Sequence, residues 1–140
     1  MDVNAYLHFS GNCEEAFEFY QAALGGELQL NRFSEMPPDD SAPPVDGNLI
    51  MHVSLVLGDG QMLMGSDAMP ATGAVQFGNH SSVMVGPDSS EDAKRIFDAL
   101  AEGGTITMPF QAMFWGDEFG MLTDKFGVAW QVNYHDPAND

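Results

Sequence analysis

Apolar and polar positions along this chain follow a helix period and a strand period in alternation, and they do so twice. Ala5 to Phe9 has strand length and character, and Ser10-Gly11-Asn12 breaks it. From about Cys13 to Leu24, Ala16, Phe17, Tyr20, Ala23 and Leu24 recur at helical spacing and predict one apolar helix face. Glu14, Glu15 and Glu18 lie in the early turns, where the helix dipole favours negative charge, and Gly25-Gly26 is a stop signal. Leu28 to Phe33 predicts a strand. Ile50 to Leu57 alternates, with Met51, Val53, Leu55 and Leu57 on one face and His52, Ser54 and Val56 on the other. Gly58-Asp59-Gly60 predicts a hairpin turn with Gly60 left-handed, and Gln61 to Ser66 is the returning strand.

The second half repeats this plan. A strand starting at His80 places Val83 and Val85 on one face and His80, Ser82 and Met84 on the other. A helix follows from about Ser90 to Ala101, with Ser89 or Ser90 as N-cap and Ile96, Phe97 and Leu100 on its apolar face. Thr105 to Phe110, Phe119 to Thr123 and Ala129 to Tyr134 complete it, with Asp124-Lys-Phe-Gly127 answering to the first hairpin turn. Ala16 answers to Ala93, Phe19 to Ile96 and Tyr20 to Phe97, and a glycine pair closes each helix. A βαβββ unit made twice predicts an α+β fold: two tandem modules, 1–68 and 79–135, in one domain over residues 1–140. The modules are expected to form a curved, cup-like mixed sheet with helices on its outer face. Ser34 to Gly47, rich in Pro, Asp and Ser, predicts a long loop, either a lid or a segment without function. Asp67 to Gly78 is the expected link between modules.

If each helix covers the more apolar sheet face, His52, Ser54, His80, Ser82 and Met84 fall on the concave one. A three-residue hairpin loop would put Met62 and Met64 on the face of His52, and Gln131 on that of Met121 and Asn133. The resulting lining of Met, His, Ser and Gln can both desolvate and orient a ligand.

Charge narrows the partners. With 4 Lys plus Arg against 21 Asp plus Glu in 140 residues, the formal net charge is −17, which repels nucleic-acid phosphates and anionic lipid surfaces. Cys13 is the one cysteine, so no internal disulfide forms, consistent with a reducing compartment. The N-terminal Met1-Asp-Val-Asn has no basic region or long apolar stretch, and no apolar run nears the ~20 residues of a membrane-spanning helix, so a cytoplasmic protein is expected.

Tyr6-Leu-His-Phe-Ser-Gly-Asn-Cys-Glu-Glu-Ala-Phe-Glu-Phe-Tyr20, Met51-His52, Met64-Gly-Ser-Asp67, Phe114-Trp-Gly116 and Gly120-Met-Leu-Thr-Asp124-Lys-Phe-Gly127-Val-Ala-Trp130 together resemble the vicinal-oxygen-chelate (glyoxalase, bleomycin-resistance, dioxygenase) superfamily. The resemblance is to its PhnB-like branch, often labelled demethylubiquinone methyltransferase-like. It implies a divalent metal held between the modules by four positions, which carry over to Ala5, Met64, His80 and Gln131. Among these His80 is a good ligand and Gln131 a weak one; Ala5 cannot bind, and Met64 suits soft metals. No cofactor is therefore predicted and a divalent metal is disfavoured, with His80 its weak candidate. The expected ligand-binding residues are His52, Met64, His80, Trp115 and Gln131, with His52 a candidate general base.

Structural alternatives stand beside these: His52 as a hydrogen-bonded member of the barrel wall, His80 as a strand-edge histidine and Trp115 as core or cavity wall. His8, by parity with Ala5, is expected on the helix side; Cys13 is not expected to be a nucleophile beside Glu14 and Glu15; Gly116-Asp-Glu-Phe-Gly120 predicts a turn, with Glu118 a candidate polar site group. The resemblance implies a homodimer binding a small molecule in a concave site, or alternatively an enzyme with metal-assisted isomerase, lyase or dioxygenase-like chemistry.

Overall fold

The computed structural model describes residues 1–37, 45–69 and 73–140, so the predicted loop over 34–47 and link over 67–78 lie partly outside the described residues. The chain divides into two compact units, Met1–Gln76 and Phe77–Asp140. The first contains β1 (Ala5–Phe9), α1 (Cys13–Leu24), β2 (Glu27–Arg32), a 3-10 turn at Phe33–Glu35, β3 (Ile50–Gly58) and β4 (Gln61–Asp67). Its sheet runs β1-β4-β3-β2, with β1 parallel to β4 and the other pairs antiparallel.

The second unit contains β5 (Val83–Val85), α2 (Ser90–Ala101), β6 (Thr105–Ala112), β7 (Asp117–Thr123), β8 (Ala129–His135) and a 3-10 turn at Pro137–Asn139. Its order, β5-β8-β7-β6, is the same topology again, with β5 parallel to β8. The α+β class and the tandem βαβββ plan stand as expected, and each module holds its own four-stranded mixed sheet. No helix among the described residues is long and apolar enough to cross a membrane.

Each core is the apolar helix face set on one sheet face. Phe9, Phe17, Tyr20, Ile50, Val53 and Leu55 are fully buried in the first unit, as are Leu100, Leu122, Trp130 and Val132 in the second. Each such side chain contributes about 1.5–3 kcal/mol of transfer free energy. The two helices start differently. Ser89 caps α2 locally, its Oγ accepting from Asp92 N at 3.1 Å. Asn12, at the same point of α1, makes no side-chain cap. Asp67 at the end of β4 replaces it: Oδ1 accepts from Gly11 N at 2.9 Å and Cys13 N at 3.0 Å, and Oδ2 from Ile50 N at 2.9 Å.

The first hairpin departs from the expected three-residue loop. Gly58 pairs with Gln61, leaving Asp59-Gly60 as a two-residue loop with φ of 51° and 77°, the positive pair of a type I′ turn. A bulge between Val56 and Gly58 takes up the extra residue, so Met62 still faces Val56 and Met64 still faces Ser54. In the second hairpin Asp124 Oδ1 accepts from Phe126 N (2.8 Å) and Val128 N (3.0 Å), and Oδ2 from Trp130 Nε1 (2.8 Å). The strand expected to begin at His80 is shorter. It spans Val83–Val85, and His80 lies exposed in a bend before it.

Candidate functional site

Two glycines fix which sheet face each helix covers. A Cβ on Gly65 of β4 would lie 2.7 Å from Phe17 Cε1 of α1, and one on Gly120 of β7 would lie 2.7 Å from Phe97 Cε2 of α2. Residues one position away therefore point to the open face. In the first module these include Tyr6, which pairs with Met64, and His8, which pairs with Ser66. On β3 they are His52 and Ser54, the latter opposite Met64.

This placement corrects two expectations. Ala5 pairs with Leu63 and has the parity of Leu7, opposite Gly65, so it faces the helix side and does not share a face with Met64. His8, expected under the helix, lies on the open face with its ring 5.1 Å from that of Tyr6. The parity was counted from Ala5 as a cavity-facing residue, and that anchor is one position out.

His52 sits half-buried at the centre of a short polar chain. Its Nδ1 lies 3.3 Å from Tyr6 Oη and its Nε2 2.9 Å from Ser54 Oγ, and Ser54 is only 8% exposed. One ring nitrogen of a neutral imidazole donates and the other accepts, while both hydroxyls can do either. The ring is thus held in orientation by two hydroxyls, with no carboxylate partner among the described residues, and either tautomer is accommodated. Tyr6, which the pattern had marked only as part of an apolar strand, is the residue that completes this chain.

The open face of the second module is built around methionine. Met84, Gln131, Met121 and Met108 form one row across β5, β8, β7 and β6. Gln131 Nε2 donates to Ser82 Oγ at 2.9 Å. Met84 is 63% exposed. Trp115, 53% exposed, stands in the β6–β7 connection with Phe114 at 4.9 Å and Phe119 at 6.4 Å between ring centroids.

Glu118 shares the parity of Gly120, which puts it on the helix side, and it accepts from Ser90 Oγ at the start of α2. It is a tie between helix and sheet rather than a site group. Cys13 is fully buried, and burial followed by the nearby Asp67 and Glu14 charges pushes its thiol up to about 12. A protonated, buried thiol is no nucleophile.

The residues present do not fit a divalent ion held as the resemblance implies. Ala5 faces a helix, His80 stands outside β5, Met64 is a thioether and Gln131 is bonded to Ser82. Among the described residues no three His, Cys, Asp or Glu side chains come together as a metal site.

The family model described as 3-demethylubiquinone-9 3-methyltransferase matches residues 1–133. Protein YjdN of Escherichia coli (strain K12) is 38% identical over 142 residues, covering 95% of each chain. The crystal structure of protein PA1353 from Pseudomonas aeruginosa superposes with a TM-score of 0.83 at 42% identity, covering 96% of this chain and 98% of that one. A putative 3-demethylubiquinone-9 3-methyltransferase, PhnB protein, from Bacillus cereus gives 0.73 at 27% identity, over 96% and 99%. A glyoxylase/bleomycin resistance protein/dioxygenase domain from Frankia sp. EAN1pec gives 0.66 at 13% identity over 98% and 93%, a likeness of fold alone. The chain belongs to the PhnB-like family described as 3-demethylubiquinone-9 3-methyltransferase, and it carries the fold of the glyoxalase/bleomycin-resistance/dioxygenase superfamily.

Proposed function

We propose that this chain is a cytoplasmic small-molecule-binding protein that works without a resident metal, using the open faces of its two modules. The observation that carries this reading is the Tyr6–His52–Ser54 chain. It is a set of oriented hydrogen-bonding groups beside the Met64 thioether, on a face its own helix leaves uncovered. On the second module, considered by itself, Gln131, Trp115 and the exposed His80 are the proposed ligand contacts. The family description speaks of methyl transfer, but neither helix is entered by a glycine-rich loop of the kind that cradles a nucleotide-like methyl donor. Ser10-Gly11-Asn12 precedes α1, and Gly86-Pro87-Asp88-Ser89 precedes α2. A homodimer belongs to the same reading, since β6 is an eight-residue edge strand exposed along most of its length.

The oriented imidazole also supports the enzymatic alternative, in which His52 takes a proton from a bound substrate while Tyr6 and Ser54 hold the ring. Both readings make the same first demand. A thermal-shift screen followed by calorimetry should find a ligand whose affinity falls about tenfold in His52→Ala and less in Tyr6→Phe, with far-UV circular dichroism unchanged. Equal affinity in both variants rejects the site.

A further inference from the structure

Where β1 and β4 end, the first module contains a cavity of about 540 Å³. That is within the roughly 300–1,000 Å³ typical of sites for drug-sized molecules. Its apolar walls are Phe33, Met51, Met69 and Val75, its polar side chains are His8 and Ser66, and Asp67 also borders it. We infer that this cavity is a subsite for the ring of an uncharged or cationic small molecule, hydrogen-bonded by His8 and Ser66. The inference rests on the small-molecule reading above and adds to it where a ring sits and what charge it carries.

His8 and Ser66 are neighbours across the parallel β1–β4 pair, so their side chains leave the sheet together on its open side. Tyr6 joins them to the proposed site, its ring 5.1 Å from His8 and 5.7 Å from His52. A ligand hydrogen-bonded at His52 therefore has a continuous path along Tyr6 to the cavity. The wall opposite is tied down, because Val75 N donates to Ser10 Oγ at 3.0 Å just past the end of β1.

The chemistry of the lining selects the occupant. Two flexible thioethers and a phenyl ring favour a flat aromatic group, which sulfur contacts at its edge and which they can repack around. Asp67 selects by charge. Its oxygens are occupied by the N–H groups of Gly11, Cys13 and Ile50 on the helix side of the sheet, so it offers a ligand little direct bonding, but its charge lies next to the cavity in a chain with a net −17. Carboxylates and phosphates are opposed there; neutral heterocycles and amidinium-like cations are not.

The test is a titration of the 15N-labelled full chain with indole, benzamidine and benzoate, followed by amide chemical shifts. Indole and benzamidine should shift the Ser66, Asp67 and Val75 amides saturably, and benzoate should leave them unmoved at the same concentrations. His8→Ala should weaken both about three- to tenfold, the loss of one hydrogen bond. Ala74→Trp, at an exposed position of the cavity rim, should abolish the shifts while preserving the rest of the spectrum. Absence of saturable shifts at those amides with every probe overturns the subsite, and equal binding of benzoate overturns its charge preference. Shifts confined to His52 and Met64 overturn the subsite while leaving the proposed function standing. Failure of that function is read separately, from the calorimetry on His52→Ala.

Discussion

Asp67 is the residue whose replacement tests the most of this structure at once. It is 3% exposed, and its two oxygens accept three backbone N–H bonds from the start of α1 and the start of β3. In Asp67→Asn the shape is kept. The amide carbonyl can still accept from Gly11 and Cys13, but the amide nitrogen then meets the Ile50 N–H, donor against donor. A charge-assisted hydrogen bond contributes about 1.5–3 kcal/mol, and stranding a buried N–H costs about 1–3 kcal/mol. Counting the overlap between these, the expected loss is roughly 2–4 kcal/mol. Asp67→Ala strands all three donors and removes the one side-chain cap of α1, for a loss of roughly 3–6 kcal/mol. Against a total stability of about 5–15 kcal/mol, that is a large share of what holds a domain together.

Urea unfolding followed by far-UV circular dichroism measures the loss, from the midpoint shift at constant slope. Asp98→Asn, on the exposed face of α2, serves as the control and should stay within about 0.5 kcal/mol of the parent. Hydrogen exchange at Cys13 to Ala16 should quicken in Asp67→Asn, because the cap holds that turn. A loss under about 0.5 kcal/mol for Asp67→Asn, with unchanged exchange in α1, would refute the role assigned to the carboxylate.

Gly65→Ala should destabilise by about 1–3 kcal/mol in the same unfolding assay, since its Cβ would lie 2.7 Å from the Phe17 ring and 2.8 Å from the Leu7 carbonyl oxygen, a backbone atom that cannot swing aside. A neutral effect would mean that α1 does not seat on β4 as described. His135 makes the pH-dependent contact: Asp117 at 2.6 Å, then Asp140 at 2.5 Å, push its imidazole up from 6.5 to about 9. Because the folded value is raised, any stability from this contact is fully present below pH ~6.5 and is lost as pH rises through about 9. Proton NMR of the His135 ring should show this titration, and Asp117→Asn should lower its midpoint.

How much of this was legible in the sequence depends on how far each signal reaches along the chain. The limits of both helices were readable because periodicity, acidic first turns and glycine stops are local. The cap of α2 was readable for the same reason, since Ser89 sits beside the N–H it accepts from. The cap of α1 was not, because Asp67 comes from another strand and the pattern around Asn12 contains no trace of it. The hairpin register was right although its loop was miscounted. A bulge at Leu57 absorbs the residue assigned to the loop, and side-chain alternation depends only on the total.

The site was partly legible for a related reason. Alternation placed His52, Ser54, Met64 and Gln131 on the open faces, since it needs only strand parity. It failed at β1, a short strand with few positions to fix the parity; at β5 it placed Met84 on the open face, and what failed was the equivalence carried from Ala5 to His80 along the chain. Equivalence through the sheet pairs Tyr6 with Met64 and Met84 with Gln131. The helix-side Ala5 and the pre-strand His80 drop out of the set. What remains is a phenol, two thioethers and an amide, none of which is a carboxylate, thiolate or imidazole. Hard and borderline cations need charged oxygen, nitrogen or thiolate donors, whereas neutral, polarizable side chains suit contact with neutral organic surface. Corrected register therefore moves the chemistry of the equivalent positions further from metal catalysis than the sequence-derived set did, and closer to the binding of an organic molecule.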